Sequence, residues 1–329
     1  YAGIEELQAR VEFSPFDPAR MHGAYLSQPI GRLLAGQNIE IAAVQGRFLR
    51  ELRAVGGTVR ATSLGLAGDI GQRTQLVMLM TEGRSLEALI DSGSRYRKLL
   101  LSTVGVAAAP LPTVTSSSLF RSSHCGYDNT VPLPPFPPTG RNEDGVFGAA
   151  LSKVYGPGAI LHLPFAVEHI PKRRDPLGAE ALTDSSYRAN DILLLLMLQW
   201  SPRATDSTAP SRQRHLAAYL EEIASGSDRS FRALGTEVAA KQTSGTVFTL
   251  RRLLETYGAR HKQWRADVEM VIGLGEERLR RGKLLEGGWD WRVGKNHVAE
   301  YGRLLQLWPR LWGVVKETPF EERGIRSML

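Results

Sequence analysis

Glu143 and Asp144 stand side by side in the run Gly140-Arg141-Asn142-Glu143-Asp144-Gly145-Val146-Phe147-Gly148, just ahead of a stretch with helical spacing. Two chemistries fit such a pair. Acidic side chains at a helix start are favoured by the helix dipole and can cap it. A carboxylate held in a cleft can instead act as a general base and take the proton of an attacking hydroxyl. Arg141 can pair with a carboxylate or a phosphate. The flanking glycines permit close backbone approach.

Other residues offer weaker chemistry. His124-Cys125-Gly126-Tyr127-Asp128-Asn129 lies upstream. A Cys beside a His suggests a nucleophilic thiol, but sequence neighbours rarely face each other as catalysis requires. A packed Cys125 and a loop His124 is the plainer reading. Leu64–Arg73 reads as a strand, a glycine-rich turn and a helix start. Backbone amides at such a start can receive phosphate, with Asp69 and Arg73 facing the same cleft as Asp144. The stretch is neither a Walker loop nor a dinucleotide fingerprint, and a tight turn with Asp69 as helix cap is the simpler alternative. His162, Glu168 and His169 lack the His-Glu-x-x-His spacing. His261 falls on an apolar helical stripe and reads as a core histidine. Trp289-Asp290-Trp291 is either a stacking platform for sugars or bases, or a hydrophobic anchor.

These residues need elements to place them. Asn38–Leu52 has helical periodicity and ends at Gly56-Gly57. Thr58–Leu66 reads as an alternating strand, with a turn at Gly68–Gly71. Thr74–Thr81 and Ser85–Asp91 read as helices, Lys98–Val106 as a second strand. Leu111–Gly140 carries six prolines, Pro112, Pro132, Pro134, Pro135, Pro137 and Pro138, and reads as a long functional loop. Gly145–Tyr155 reads as a helix and Ala159–Leu163 as a short buried strand. Ser201–Ser211 looks like a mobile linker. Apolar stripes along Leu250–Leu279 and Tyr301–Val315 predict long helices. The chain therefore divides near residue 180, into a mixed α/β part (1–180) and a mainly helical part (181–329).

Composition bounds the function. The 329 residues carry a net charge of +7 and one cysteine. That excludes a disulfide framework and a multi-cysteine zinc site. It favours a reducing, cytoplasmic home. No nucleic-acid motif accompanies the positive charge, so nucleic acid is not an expected partner. Ile192–Leu198, the longest apolar run, is too short to span a bilayer, which takes about 18–20 residues.

The stretch Pro134–Gly148, Pro-Pro-Phe-Pro-Pro-Thr-Gly-Arg-Asn-Glu-Asp-Gly-Val-Phe-Gly, resembles the acceptor-side segment of nucleotide-sugar-dependent glycosyltransferases of the GT-A type. The resemblance spans roughly Ser116–Pro171. It implies a GT-A-like α/β front half and transfer of a sugar from a nucleotide-sugar donor to a hydroxyl acceptor. It makes Asp144 the base of an inverting transfer, with Glu143 second. Arg141 and Asn142 would then shape the acceptor or phosphate site. Tyr127, Asp128 and Asn129 would form a companion loop, with His124, Asp69 and Arg73 completing the substrate-binding set. The family's donor metal, Mn or Mg, is normally held by an Asp-x-Asp motif, which this chain lacks. A non-catalytic binding protein, using the proline-rich loop and the helical tail, is the alternative reading.

Overall fold

A computed structural model describes residues 1, 4–35, 44, 46–70, 75–115, 120–171, 177–183, 187–203, 205–285 and 290–318. The first half comprises α1 (Ile4–Gln8), α2 (Pro18–Gly23), α3 (Ile30–Leu34), α4 (Gly46–Val55), β1 (Ala61–Asp69), α5 (Leu76–Leu79), α6 (Gly83–Ile90), α7 (Tyr96–Leu100), β2 (Val104–Ala107), β3 (Thr113–Thr115), β4 (Cys125–Tyr127), α8 (Glu143–Tyr155) and β5 (Ile160–His169). The second half is helical: α9 (Ala189–Gln199), α10 (Ala209–Ser225), α11 (Asp228–Tyr257), α12 (Lys262–Arg281) and α13 (Trp291–Glu317). The chain is thus mixed α/β in front and helical behind. Among the described residues no helix is long and apolar enough to cross a membrane.

The sheet is built on β1. Its order is β2-β1-β5-β3, with β4 also paired to β1. β1 and β5 run parallel, and the remaining pairs are antiparallel. β1 is buried at every position, so its polar and apolar residues do not alternate between solvent and core as expected. A strand in a parallel pair covered on both faces has no wet side. Its polar residues find partners inside: Thr62 Oγ1 lies 2.7 Å from His22 Nδ1, and Ser63 Oγ donates to the Arg121 carbonyl at 3.2 Å.

Several expected boundaries move for identifiable reasons. Gly68 and Asp69 are not a turn. They stay in the ladder, opposite Gly105 and Val104 of β2, and Gly68 pairs with His169 of β5. Gly68 sits at φ +111°, where a Cβ would come within 2.4 Å of the His169 carbonyl oxygen. Lys98–Val106 is not one strand. Tyr96 and Leu100 bury one turn apart on α7, and β2 begins only at Val104. The Leu250–Leu279 stripe is two helices broken after Tyr257. His261 is not a core side chain of either helix. It caps α12, accepting from the Trp264 amide at 3.1 Å. The expected helix over Asn38–Leu52 lies partly outside the described residues, and α4 runs on to Val55. Ser201–Ser211 is tied down by the buried Asp206, which accepts from the Arg203 amide and pairs with His215.

Among the described residues four apolar clusters hold the elements. One joins α8 to α9, α10, α11 and α13 around Val146, Ile192, Leu196, Leu216 and Tyr301. A second joins α5–α7 to α11 and α12 around Tyr96, Leu250, Trp264 and Val268. Smaller clusters lie between the sheet and α8, and between the sheet and the N-terminal helices.

Two alanine substitutions separate crowded from open glycines. Gly68→Ala is expected to lower stability by about 1–3 kcal/mol in urea titration, through overpacking against β5. Gly273→Ala, exposed on α12 with nothing near its Cβ position, is expected to raise it by about 0.5–1 kcal/mol.

Candidate active site

Glu143 and Asp144 occupy the first turn of α8, where negative charge suits the helix dipole. The helix stops at Gly156, whose φ of +85° few other residues adopt. Neither acidic residue is the N-cap. That position belongs to Asn142, held in the left-handed region at φ +71°. Asn142 does not cap with its side chain. Its Nδ2 reaches out to donate to Asp191 Oδ1 of α9 at 2.8 Å. Asp191 Oδ2 accepts from the Arg188 amide at 2.8 Å, closing the first turn of α9. The next residue back, Asn190, donates to the Thr139 carbonyl at 3.1 Å and lies 2.5 Å from His297 Nε2. The start of α9 therefore clamps the turn before Asp144 at two points.

The proline-rich run is fixed in the same way. Proline has no N–H, so such a run cannot build a ladder of its own and its buried carbonyls need outside donors. Tyr155 donates to the Pro132 carbonyl at 2.9 Å, Trp308 to Leu133 at 2.5 Å and Tyr301 to Pro135 at 2.9 Å. Phe136 stacks on Phe147 with centroids 4.2 Å apart and planes inclined by 4°. Tyr127 meets Phe147 edge-on at 5.7 Å. Phe147 lies one turn after Asp144, so this cluster anchors the face of α8 that carries the carboxylate.

Asp144 is half-buried, and its Oδ1 accepts from the Gly145 amide at 2.9 Å. Burial pushes its carboxyl above the usual range. The Glu143 charge adds to that rise, and the Gly145 amide and the Arg121 guanidinium hold part of it back. Arg121 is itself anchored, donating Nη1 to the Ile70 carbonyl at 2.7 Å. Cys125 and Tyr127 of β4 also feel the Asp144 charge. Burial pushes the Cys125 thiol up to about 11, and its Sγ donates to the Arg121 carbonyl at 2.8 Å. A protonated, hydrogen-bonded thiol is a packed residue and no nucleophile.

The remaining expected site residues scatter. Arg141 is exposed beside Asn142; His124 and Asn129 are exposed on the loops around β4. His124 lies near enough to the buried His22 for their charges to interact. Asp128 is buried in an ion pair with Arg60 at 2.5 Å and also accepts from Thr130. Burial alone would raise its carboxyl, but the hydrogen bonds from Thr130 and Arg60 hold it below the usual range. Its geometry is that of a structural ion pair. Asp69 ends β1, buried, and accepts from Thr103 Oγ1 at 3.3 Å. Among the described residues the next helix, α5, begins at Leu76. Arg73 lies outside the described residues, as does Trp289. Trp291 lies under the guanidinium of Arg232, 3.9 Å from its centroid, with that of Arg292 4.6 Å away. Arg121, Asn190, Asp191 and His22 carried no sequence signature beyond the spacing of Arg188 and Asp191 at a helix start.

Among the described residues no group of three or more His, Cys, Asp or Glu side chains is placed to hold a metal ion. Compared with protein-family models, curated proteins and solved structures, the chain matches none.

The clamp and the buried histidines are both testable. Asp191→Ala removes the acceptor for Asn142 and for the Arg188 amide, and is expected to cost about 1–3 kcal/mol in chemical denaturation. Burial holds His22, His162 and His297 below the ordinary imidazole range. Each is neutral in the fold and protonates more readily once unfolded. The unfolded state then binds more protons as pH falls through about 6.5, so stability declines with acidification. The melting temperature is expected to fall between pH 7.5 and 5.5, and a flat profile would contradict these neutral histidines.

Proposed function

We propose that the protein is a glycosyltransferase with a GT-A-like front half, moving a sugar from a nucleotide-sugar donor to a hydroxyl acceptor with inversion. The observation that carries this reading is Asp144: a carboxylate raised by burial, fixed on a clamped helix start and within reach of the Arg121 charge. A base raised toward neutrality accepts a proton more readily than an ordinary carboxylate. In the transfer, Asp144 takes the acceptor's hydroxyl proton as that oxygen bonds to the anomeric carbon. The bond from that carbon to the donor phosphate breaks on the opposite face, and its electron pair leaves with the nucleoside diphosphate. Glu143 orients the acceptor. Arg141 or Arg73 offsets the charge that develops on the leaving diphosphate. The resemblance implies Mn or Mg on the donor diphosphate, where the metal would help neutralise the leaving group's charge.

The alternative, a binding module that presents its proline-rich loop to a partner, has less support. Pro134, Pro135 and Pro137 are buried, and the loop's carbonyls are taken up internally.

Thermal unfolding with a panel of nucleotide sugars and free nucleotides, each with and without manganese, tests donor binding. A ligand that binds the folded chain must raise the melting temperature by mass action. Asp144→Asn is expected to cut turnover by at least about 100-fold. It should leave the melting temperature equal or higher, because it removes a charge that burial disfavours. Full turnover in this variant, or no shift with any nucleotide, would sink the proposal.

A further inference from the structure

At the far end of α8 from Asp144 lies a small open cavity of about 150 Å³. Its walls come from three places: Thr58 and Arg60 just before β1, Tyr155 at the end of α8, and Ser207, Ala209 and Arg212 around the start of α10. Tyr155 and Asp144 stand at opposite ends of α8, roughly 16 Å apart at a helix's rise per residue. The cavity is therefore separate from the proposed base.

Both guanidiniums are fixed on one side and open on the other. Arg60 gives Nη1 to Asp128 Oδ2 at 2.5 Å and lies over the Tyr155 ring, 5.3 Å from its centroid. Its Nε and Nη2 have no partner among the described residues. Arg212 gives Nε to the Asp206 carbonyl at 2.8 Å. The Asp206 carboxylate is occupied elsewhere, by the Arg203 amide, Ser211 and His215. Among the described residues Arg212 thus has no ion pair, and both of its Nη atoms are open. So are the hydroxyls of Thr58 and Ser207 and the Ala209 amide, and no acidic side chain lines the cavity.

This donor set selects its ligand. A cation would meet two guanidiniums, and an apolar group would strand the donors. α4 and α8 end beside this wall, and the half-charges of their C-termini oppose an anion. The N-terminus of α10 and the unpaired charge of Arg212 together outweigh them. A carboxylate offers only two oxygens to these donors. A phosphate offers enough for a bidentate contact to each guanidinium and further bonds to the hydroxyls. The volume equals about five waters' share of liquid, which is room for the phosphorus and oxygens of one phosphate group. We propose that this cavity is a phosphate site held between Arg60 and Arg212, taking the free ion or the head of a phosphomonoester whose body stays in solvent. The site does not depend on the transferase reading.

The probe is inorganic phosphate at pH 8, titrated calorimetrically into the full chain with ionic strength held constant by sodium chloride. Saturable binding is expected, at least tenfold tighter than that of acetate. Arg212→Gln leaves the Arg60–Asp128 pair intact and is expected to weaken phosphate at least tenfold. Ser207→Glu, at an exposed position, brings a like charge to the cavity and is expected to do the same. Melting curves check that both variants fold. Arg141→Gln, a cation lost from the proposed donor site, is expected to leave phosphate affinity unchanged. Glycerol 3-phosphate separates the two sources: tighter binding than the free ion assigns the site to an ester, and weaker binding assigns it to the ion. No saturation, acetate binding as tightly as phosphate, or equal affinity in a folded Arg212→Gln would overturn the site. So would loss of phosphate binding in Arg141→Gln, which would place the ion at the donor site instead.

Discussion

Between Pro132 and Thr139 the backbone has few amide hydrogens to give and several carbonyls that must be met. Donors arrive from three different helices: Tyr155 of α8, Asn190 of α9, and Tyr301 and Trp308 of α13. Each is a side chain on a rigid element, reaching a loop that cannot hold itself. The position of Asp144 follows from this. If those donors shift, the loop shifts, and with it the turn from Gly140 to Asn142. The glycines are part of the same arrangement: a Cβ on Gly140 would stand 2.8 Å from Asn190 Nδ2, and one on Gly145 2.3 Å from Asn142 Oδ1. The backbone there approaches the clamp as closely as glycine permits.

The electrostatics of the front half sort its carboxylates by environment. Asp128 and Asp144 are only a loop apart in sequence, yet their carboxyls move in opposite directions. Asp128 is buried against Arg60 and two donors from Thr130 and stays ionised. Asp144 has only backbone donors, a like charge beside it and a guanidinium that is itself pinned elsewhere. Environments that push two carboxylates apart separate a structural anion from one able to exchange a proton.

Much of the local structure was legible in the sequence. The helix at Gly145–Tyr155, a buried strand after it and a long helix over Tyr301–Val315 are all read from the sequence, although β5 runs on to His169 and α13 begins at Trp291. The proline-rich segment is rightly read as a loop, apart from the short strands β3 and β4 in the wider stretch before it. What stayed hidden depends on contacts distant in sequence. Gly68 looks like a turn residue because glycine often is one; β2 on one side and β5 on the other, both distant in sequence, make it a strand residue. Asp128 sits in a promising acidic loop, but Arg60 decides its role from 68 residues away. The Asn190-Asp191 clamp is ordinary helix-start chemistry until the turn at 139–142 is laid against it.

The second core has a consequence for how the chain is made. Leu79, Leu86, Tyr96 and Leu100 bury against Leu250, Trp264 and Val268. Tyr96 and Arg97 bond to Asp267, some 170 residues downstream. A ribosome delivers α5–α7 first, and at about 5–20 residues per second their partners follow roughly ten to thirty seconds later. For that interval these apolar side chains have no cover. The nascent chain is then a ligand for any chaperone that recognises exposed aliphatic helix, and the yield of folded protein is set by translation speed as well as by stability.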